Sequence, residues 1–246
     1  MRLKGGHEDI NYEATKAFFN NRAGKYNEDN PYAVTMYQDN NPELVKQRNA
    51  KEIEKLLPLL KLDEKSKVLD IACGIGRWSD AITTDIDKYC GIDFCEEFIL
   101  KARELNKEKS NRFFFAGKSN EITNCLLNNK WGGIFNRVLF MGIWNYLNDI
   151  DVGNTFMEIC KIAHKKSIVI MRGPVGIDER LTLKGHFSDE LDDTYNSIYR
   201  TRDELVEMMN DSLMKNGFSI KEESFLYDES LNNRKETAQY YFVLER

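Results

Sequence analysis

A chain of 246 residues with 41% hydrophobic, 11% aromatic and 30% charged residues is long enough to bury a large core and too apolar to remain disordered. Its net charge of -5, with Lys and Arg interspersed among acids as in KEIEKLL and KAREL, offers no continuous basic stripe and disfavours nucleic-acid binding. No apolar run approaches the roughly 18 to 20 residues that cross a bilayer, and MRLKGGHEDI has no apolar signal core, so a cytoplasmic protein without membrane contact is expected. The cysteines, at positions 73, 90, 95, 125 and 160, contain no Cys-x-x-Cys and read as reduced, buried thiols.

Asp9 to Tyr26 has helical spacing, with Tyr12, Thr15, Phe19, Arg22 and Tyr26 on one face. An arginine among aromatics is an odd choice for plain core. Residues 27–40 are turn-rich yet carry Tyr32, Met36, Tyr37 and Gln38, which a solvated linker does not need; Arg22 and Tyr37 are therefore candidates for the substrate mouth. Asn41-Pro42 starts a second helix as N-cap and first-turn proline, and that helix carries Arg48. These elements make residues 1–62 an N-terminal helical segment. From residue 63 to 246 strand and helix alternate, with strands expected at 67–72, 88–93, 111–116, 134–140, 166–172, 218–226 and 237–244. Helices are expected at 76–84, 95–107, 119–128, 150–163 and 202–216. Such alternation predicts a mostly parallel, doubly wound sheet, and the last two strands, separated by DESLNNRKE, should close it as an antiparallel hairpin.

The stretch KVLDIACGIG, residues 67–76, reads strand, tight turn, helix. Glycine lets a ligand lie against the backbone, and the helix N-terminus offers free N–H groups. Asp93 follows Asp70 by 23 residues, at the tip of the next apolar run, where a carboxylate can accept both hydroxyls of a ribose. The third glycine of a dinucleotide fingerprint is missing, which disfavours NAD.

Lys67 to Gly76 followed by GIDFCEEFILKARE resembles motif I and the acidic loop of class I S-adenosylmethionine-dependent methyltransferases. The resemblance implies a Rossmann-like α/β fold: a seven-stranded sheet with a C-terminal hairpin, helices on both faces and an N-terminal helical lid. It also implies S-adenosyl-L-methionine as cofactor, S-adenosyl-L-homocysteine as product, and no metal. Asp70, Ala72, Cys73, Gly74, Gly76, Arg77, Asp93 and Phe94 would form the cofactor cradle, with Tyr26 and Arg48 reaching it from the lid. Ala72 stands where the family usually has glycine. Lys118 and Ser119 stand at the position where the family often has an acidic residue near adenine and would hold the adenine instead, while Phe140, Met141 and Trp144, where the family's fourth strand end often carries polar catalytic motifs, would stack on adenine or shape the sulfonium site.

Between the fifth strand and the last long helix, an insertion spanning 173–200 emerges beside the cofactor edge. It and its flank carry Arg172, Arg180, His186, Tyr195, Tyr199 and Arg200. Guanidinium forks suit phosphate or carboxylate, so Arg172, Arg180 and Arg200 are acceptor candidates. His186 is the candidate general base, assisted by Tyr195 or Tyr199. This insertion, with TMYQDNNPELVKQRN upstream, resembles small-molecule methyltransferases of bacterial capsule and surface-polysaccharide clusters, including those of O-methyl phosphoramidate decoration. Methyl transfer to an oxygen of a small anionic acceptor is expected, with an amine acceptor or a non-catalytic binding module as alternatives and the oligomeric state open.

Overall fold

Buried strands must satisfy their backbone groups laterally, and the apolar runs of this chain do so in one sheet. The computed structural model describes residues 1–37, 39–228, 231–232 and 234–246; Gln38, expected at the substrate mouth, lies outside them. The chain opens with a short strand β1 (Arg2–Lys4) and helices α1 (Tyr12–Gly24), α2 (Ala33–Met36) and α3 (Pro42–Leu56). The core then follows: β2 (Lys67–Ile71), α4 (Arg77–Ala81), β3 (Lys88–Asp93), α5 (Glu96–Leu105), β4 (Arg112–Ala116), α6 (Ile122–Asn128), β5 (Phe135–Met141) and α7 (Asp149–Ile162). It ends with β6 (Ala163–Gly176), β7 (Leu181–Ser188), β8 (Asp193–Tyr199), α8 (Arg202–Asp211), β9 (Ser219–Phe225) and β10 (Thr237–Glu245).

Among the described residues a seven-stranded sheet runs in the order β4-β3-β2-β5-β6-β10-β9. Strands β2 to β6 pair in parallel, whereas β10 is antiparallel to both β6 and β9, the expected closing hairpin. The chain builds outward from β2 to β4, then crosses back to lay β5 on the other side of β2. That reversal splays the connections at the C-terminal ends of β2 and β5 and opens a crevice there. Period-two alternation in β2 sends Leu69 and Ile71 to one face, under α6, α7 and α8, and Val68 to the other, under α3, α4 and α5.

Two local expectations are altered. The helix expected over 202–216 begins with a Thr201–Glu204 capping box but ends at Asp211, where Ser212 leaves helical geometry (φ -128°, ψ -82°). The 173–200 insertion, with no strand expected in it, carries β7 and β8, an antiparallel hairpin that β1 extends to three strands.

The insertion also corrects the reading of two arginines. Arg200 is fully buried and donates to the carbonyls of Trp144 (2.5 Å) and Leu147 (2.7 Å) and to Asp149 Oδ1 (2.7 Å). Arg180 bridges the same Asp149 oxygen (2.8 Å) to Glu204 (3.0 Å). Both fasten the hairpin to the segment after β5 and to the start of α7, and neither lines the crevice. Arg22 is likewise fully buried, forked onto Asp39 (2.5 and 2.6 Å) and bonded to the Ala33 carbonyl, so it ties Ala33 and Asp39 to α1 instead of facing an acceptor.

Removing one partner of a buried ion pair leaves uncompensated charge and carbonyls, which typically costs about 3 kcal/mol or more. Arg200→Met is expected to lower unfolding free energy by about 3 kcal/mol in urea titration, a loss that an exposed arginine would not produce.

Candidate active site

At the end of β2 the backbone turns through three left-handed residues, Ala72 (φ 62°), Gly74 (φ 55°) and Gly76 (φ 88°), before α4 begins. Ala72 and Cys73 both donate to the Ile92 carbonyl, at 2.8 and 3.1 Å, which pins the turn to β3. The conformation at position 72 explains why glycine suits it; alanine holds it at a cost of about 1 kcal/mol. At Gly74 a Cβ would fall 2.7 Å from Thr35 Cγ2, because the segment around α2 lies directly over the loop.

Two carboxylates flank this loop. Asp93 is buried; its Oδ2 accepts from the Gly74 N–H (3.0 Å) and its Oδ1 from the Cys95 N–H (2.9 Å). Burial pushes its pKa up to about 6, against those backbone bonds. Asp70 is also buried. Its Oδ2 accepts from the Tyr89 hydroxyl at 2.5 Å, its Oδ1 has no partner among the described residues, and burial raises its pKa to about 7.

The loop and these acids form one wall of a cavity of about 850 Å³, within the range typical of small-molecule sites, about 300 to 1,000 Å³. The structure brings Asp70, Ala72, Cys73, Gly74, Arg77, Asp93, Phe94, Lys118, Ser119 and Met141 to this cavity, together with Tyr37, Arg48, Arg172 and Tyr199. It leaves others out. Phe140 and Trp144 are fully buried in the core, the Trp144 indole donating to the Pro174 carbonyl at 2.9 Å. Gly76 sits behind the loop against Asn106 and Phe114, and Tyr26 lies under the Lys101 ammonium, 4.5 Å from its ring centroid. His186 and Tyr195 also do not line the cavity: the imidazole packs edge-on against the Tyr195 ring at 5.7 Å, on the far side of that ring. Burial and the Arg234 charge lower the His186 pKa.

Other parts of the cavity wall are cationic and phenolic. Arg77 Nη2 donates to Glu52 Oε1 at 2.5 Å, and Arg172 to the other oxygen of the same fully buried carboxylate. Arg48 donates to the Leu231 carbonyl at 2.9 and 2.6 Å. Tyr37 and Tyr146 pack ring to ring with centroids 6.1 Å apart, and burial pushes the Tyr37 pKa up to about 12 and that of Tyr146 well above its ordinary value. Among the described residues no group of three or more His, Cys, Asp or Glu side chains is placed to hold a metal, and no helix is long and apolar enough to cross a membrane.

Sequence reasoning missed part of the lining. Tyr12, Thr15, Lys16 and Phe19 of α1 and Thr35 of α2 face the cavity, as do Arg234 and Gln239 from the last hairpin. The aromatic stripe of α1 was the available signal for the first group; Arg234 sits in a polar turn that gives none.

S-adenosylmethionine fits these residues. A left-handed glycine turn on the cavity wall, an acid at the tip of β3 and an unpartnered carboxylate oxygen on Asp70 supply what an aminoacyl nucleoside requires. Residues 68–165 match a family model described as a methyltransferase domain. No curated protein matches the chain. Among solved structures, a phosphoethanolamine N-methyltransferase of Haemonchus contortus has a TM-score of 0.67 at 15% identity, over 96% of this chain and 50% of that one. The N-methyltransferase NodS of Bradyrhizobium japonicum WM9, bound to S-adenosyl-L-homocysteine, has 0.63 at 13% identity, over 95% and 98%. Magnesium protoporphyrin IX methyltransferase (ChlM) of Synechocystis PCC 6803, bound to S-adenosylmethionine, has 0.59 at 13%, over 96% and 93%. At these identities the likeness shows the shared Rossmann-like fold.

An ionised Asp93 is the form that accepts hydroxyls, and its pKa lies near 6. Affinity for S-adenosylhomocysteine should therefore weaken about tenfold between pH 7 and pH 5. Asp93→Asn should bind weakly at both. Calorimetry giving the same dissociation constant at the two pH values would remove Asp93 from the cofactor site.

Proposed function

We propose that this S-adenosylmethionine-dependent methyltransferase methylates an oxygen of a small anionic metabolite. The acceptor class is a sugar, sugar phosphate, nucleotide sugar or phosphoramidate intermediate of capsule or surface-polysaccharide synthesis. The observation that carries this reading is the placement of Arg172 and Arg234 on the same cavity as Asp70 and Asp93. Guanidinium groups suit anionic oxygens because their N–H donors form planar forks.

The roles follow from the walls. The 72–76 turn, Asp93 and Asp70 would hold the donor, with Phe94, Lys118 and Ser119 around the same part of the cavity. When bound, the donor supplies an electrophilic methyl group on a sulfonium, transferred as the new bond forms in line with the departing sulfur. Arg172 would orient the acceptor, kept in place by Glu52 behind it. Tyr37, Tyr146 and Phe19 pack ring against ring, with centroids 5.1 to 6.5 Å apart, and would exclude water from the reacting oxygen. Tyr37 and Tyr146 retain their protons at neutral pH and so act as hydrogen-bond donors, not bases. With His186 outside the cavity, the reading favours an oxygen that is already anionic, of the phosphate type, for which positioning suffices.

A second reading, methyl transfer to an amine on a comparably anionic molecule, is favoured by the ring faces of Tyr37 and Tyr146, which attract cationic nitrogen. It also agrees with the names of two structural neighbours, a phosphoethanolamine N-methyltransferase and NodS.

Calorimetric binding of S-adenosylhomocysteine, followed by a screen against nucleotide sugars, sugar phosphates and phosphoramidates with mass spectrometry of the product, tests the assignment and separates O- from N-methylation. No binding by folded protein would sink it. His186→Ala is expected to keep kcat within about twofold; a loss of about 100-fold or more, typical of a missing general base, would restore His186 to the mechanism.

A further inference from the structure

Arg234 differs from the other buried or half-buried arginines in what answers its charge. Arg22, Arg77, Arg172, Arg180 and Arg200 each meet a carboxylate, on Asp39, Glu52 or Asp149. Arginines without one, such as Arg103 and Arg137, direct their N–H groups at backbone carbonyls. Arg234 has neither. Its Nη1 donates to the Tyr199 hydroxyl at 3.2 Å and its Nη2 to the Tyr195 hydroxyl, and both rings lie 5.9 Å from the guanidinium carbon. Among the described residues these two phenols are its hydrogen-bond partners, and it lines the cavity.

A half-buried guanidinium without a counter-charge is costly, and ordinarily such a group has an anion to meet. Two of its five N–H donors are used by the tyrosines, which fix the plane of the fork; the rest remain available. Both phenols accept from Arg234, and the Tyr199 hydroxyl keeps its own proton to donate. Tyr199 lines the cavity beside Arg234, whereas Tyr195 stands behind and holds the guanidinium in place. The unused guanidinium N–H groups and the Tyr199 hydroxyl put at least three donors on one stretch of cavity wall, which suits the three terminal oxygens of a phosphoryl group better than the two of a carboxylate.

We propose that Arg234, oriented by Tyr195 and Tyr199, reads the phosphoryl group of the acceptor and makes the enzyme select phosphorylated acceptors over their unphosphorylated forms. This rests on the acceptor reading above, and deepens it by assigning the specificity to a residue of the last hairpin.

The test is calorimetric titration of inorganic phosphate, with acetate as the comparison anion, into the protein with and without S-adenosylhomocysteine. Wild type should bind phosphate more tightly than acetate. Arg234→Met should weaken phosphate at least about tenfold, equivalent to about 1.4 kcal/mol, while S-adenosylhomocysteine affinity and the urea midpoint stay at wild-type values. Arg234→Lys should fall between, because an ammonium keeps the charge but loses the fork. Tyr195→Phe, which leaves the guanidinium but frees its plane, should weaken phosphate by a smaller factor. Phosphate bound equally by Arg234→Met, acetate bound as tightly as phosphate by wild type, or an equal loss of S-adenosylhomocysteine affinity in Arg234→Met would each overturn the proposal. Wild type that binds phosphate through Arg234 but fails to bind S-adenosylhomocysteine would leave this inference standing and remove the methyl-donor reading instead.

Discussion

The Glu52 carboxylate is the joint on which the cavity depends. It is fully buried on α3, and burial alone would push its pKa up; Arg172 and Arg77 together hold it below the usual carboxylate value. Each oxygen serves one guanidinium, and Tyr227 approaches at 3.4 Å. Three elements far apart in sequence are thereby fixed by one group: the N-terminal helix, the first turn of α4 below the glycine loop, and β6. One negative charge also answers two positive ones, so the wall it organises keeps an excess of positive charge. A buried network of this kind is worth more intact than its pairs taken singly, because each bond polarises the next in a low-dielectric surround.

Much of the fold was legible because its signals are local. The glycine turn, the 23-residue step from Asp70 to Asp93 and the polar turn before the last strand are matters of spacing, and the pairing of β2 with β3 and of β9 with β10 follows them. The site was legible only where it is built from those signals. Whether an arginine faces a ligand or a carboxylate from another element is non-local: Arg200 and Arg180 converge on Asp149, some 51 and 31 residues away, and no periodicity announces that. His186 was misplaced for a different reason. The register of β7 against β8 shifts between Leu183 and His186, where Gly185 is left-handed (φ 52°), and a shift of that kind sends later side chains to faces that alternation does not foretell.

Arginine thus performs two tasks in one small volume. Deep in the structure it ties segments together through carbonyls and shared acids, as Arg22 does for Ala33 and Asp39. At the cavity it is held by groups that fix its direction without cancelling its charge. The phenol pair at Arg234 and the shared carboxylate at Arg172 are two solutions to that single requirement.

The contact between Thr35 and Gly74 binds two distant stretches into one heritable unit. A side chain at position 74 is refused twice, by a left-handed backbone and by a methyl group 2.7 Å from where its Cβ would lie. Shortening residue 35 lifts only the second refusal. Substitutions at these two positions, 39 residues apart in sequence, will therefore not act additively. Any redesign of the glycine turn has to be carried out together with the strap that covers it.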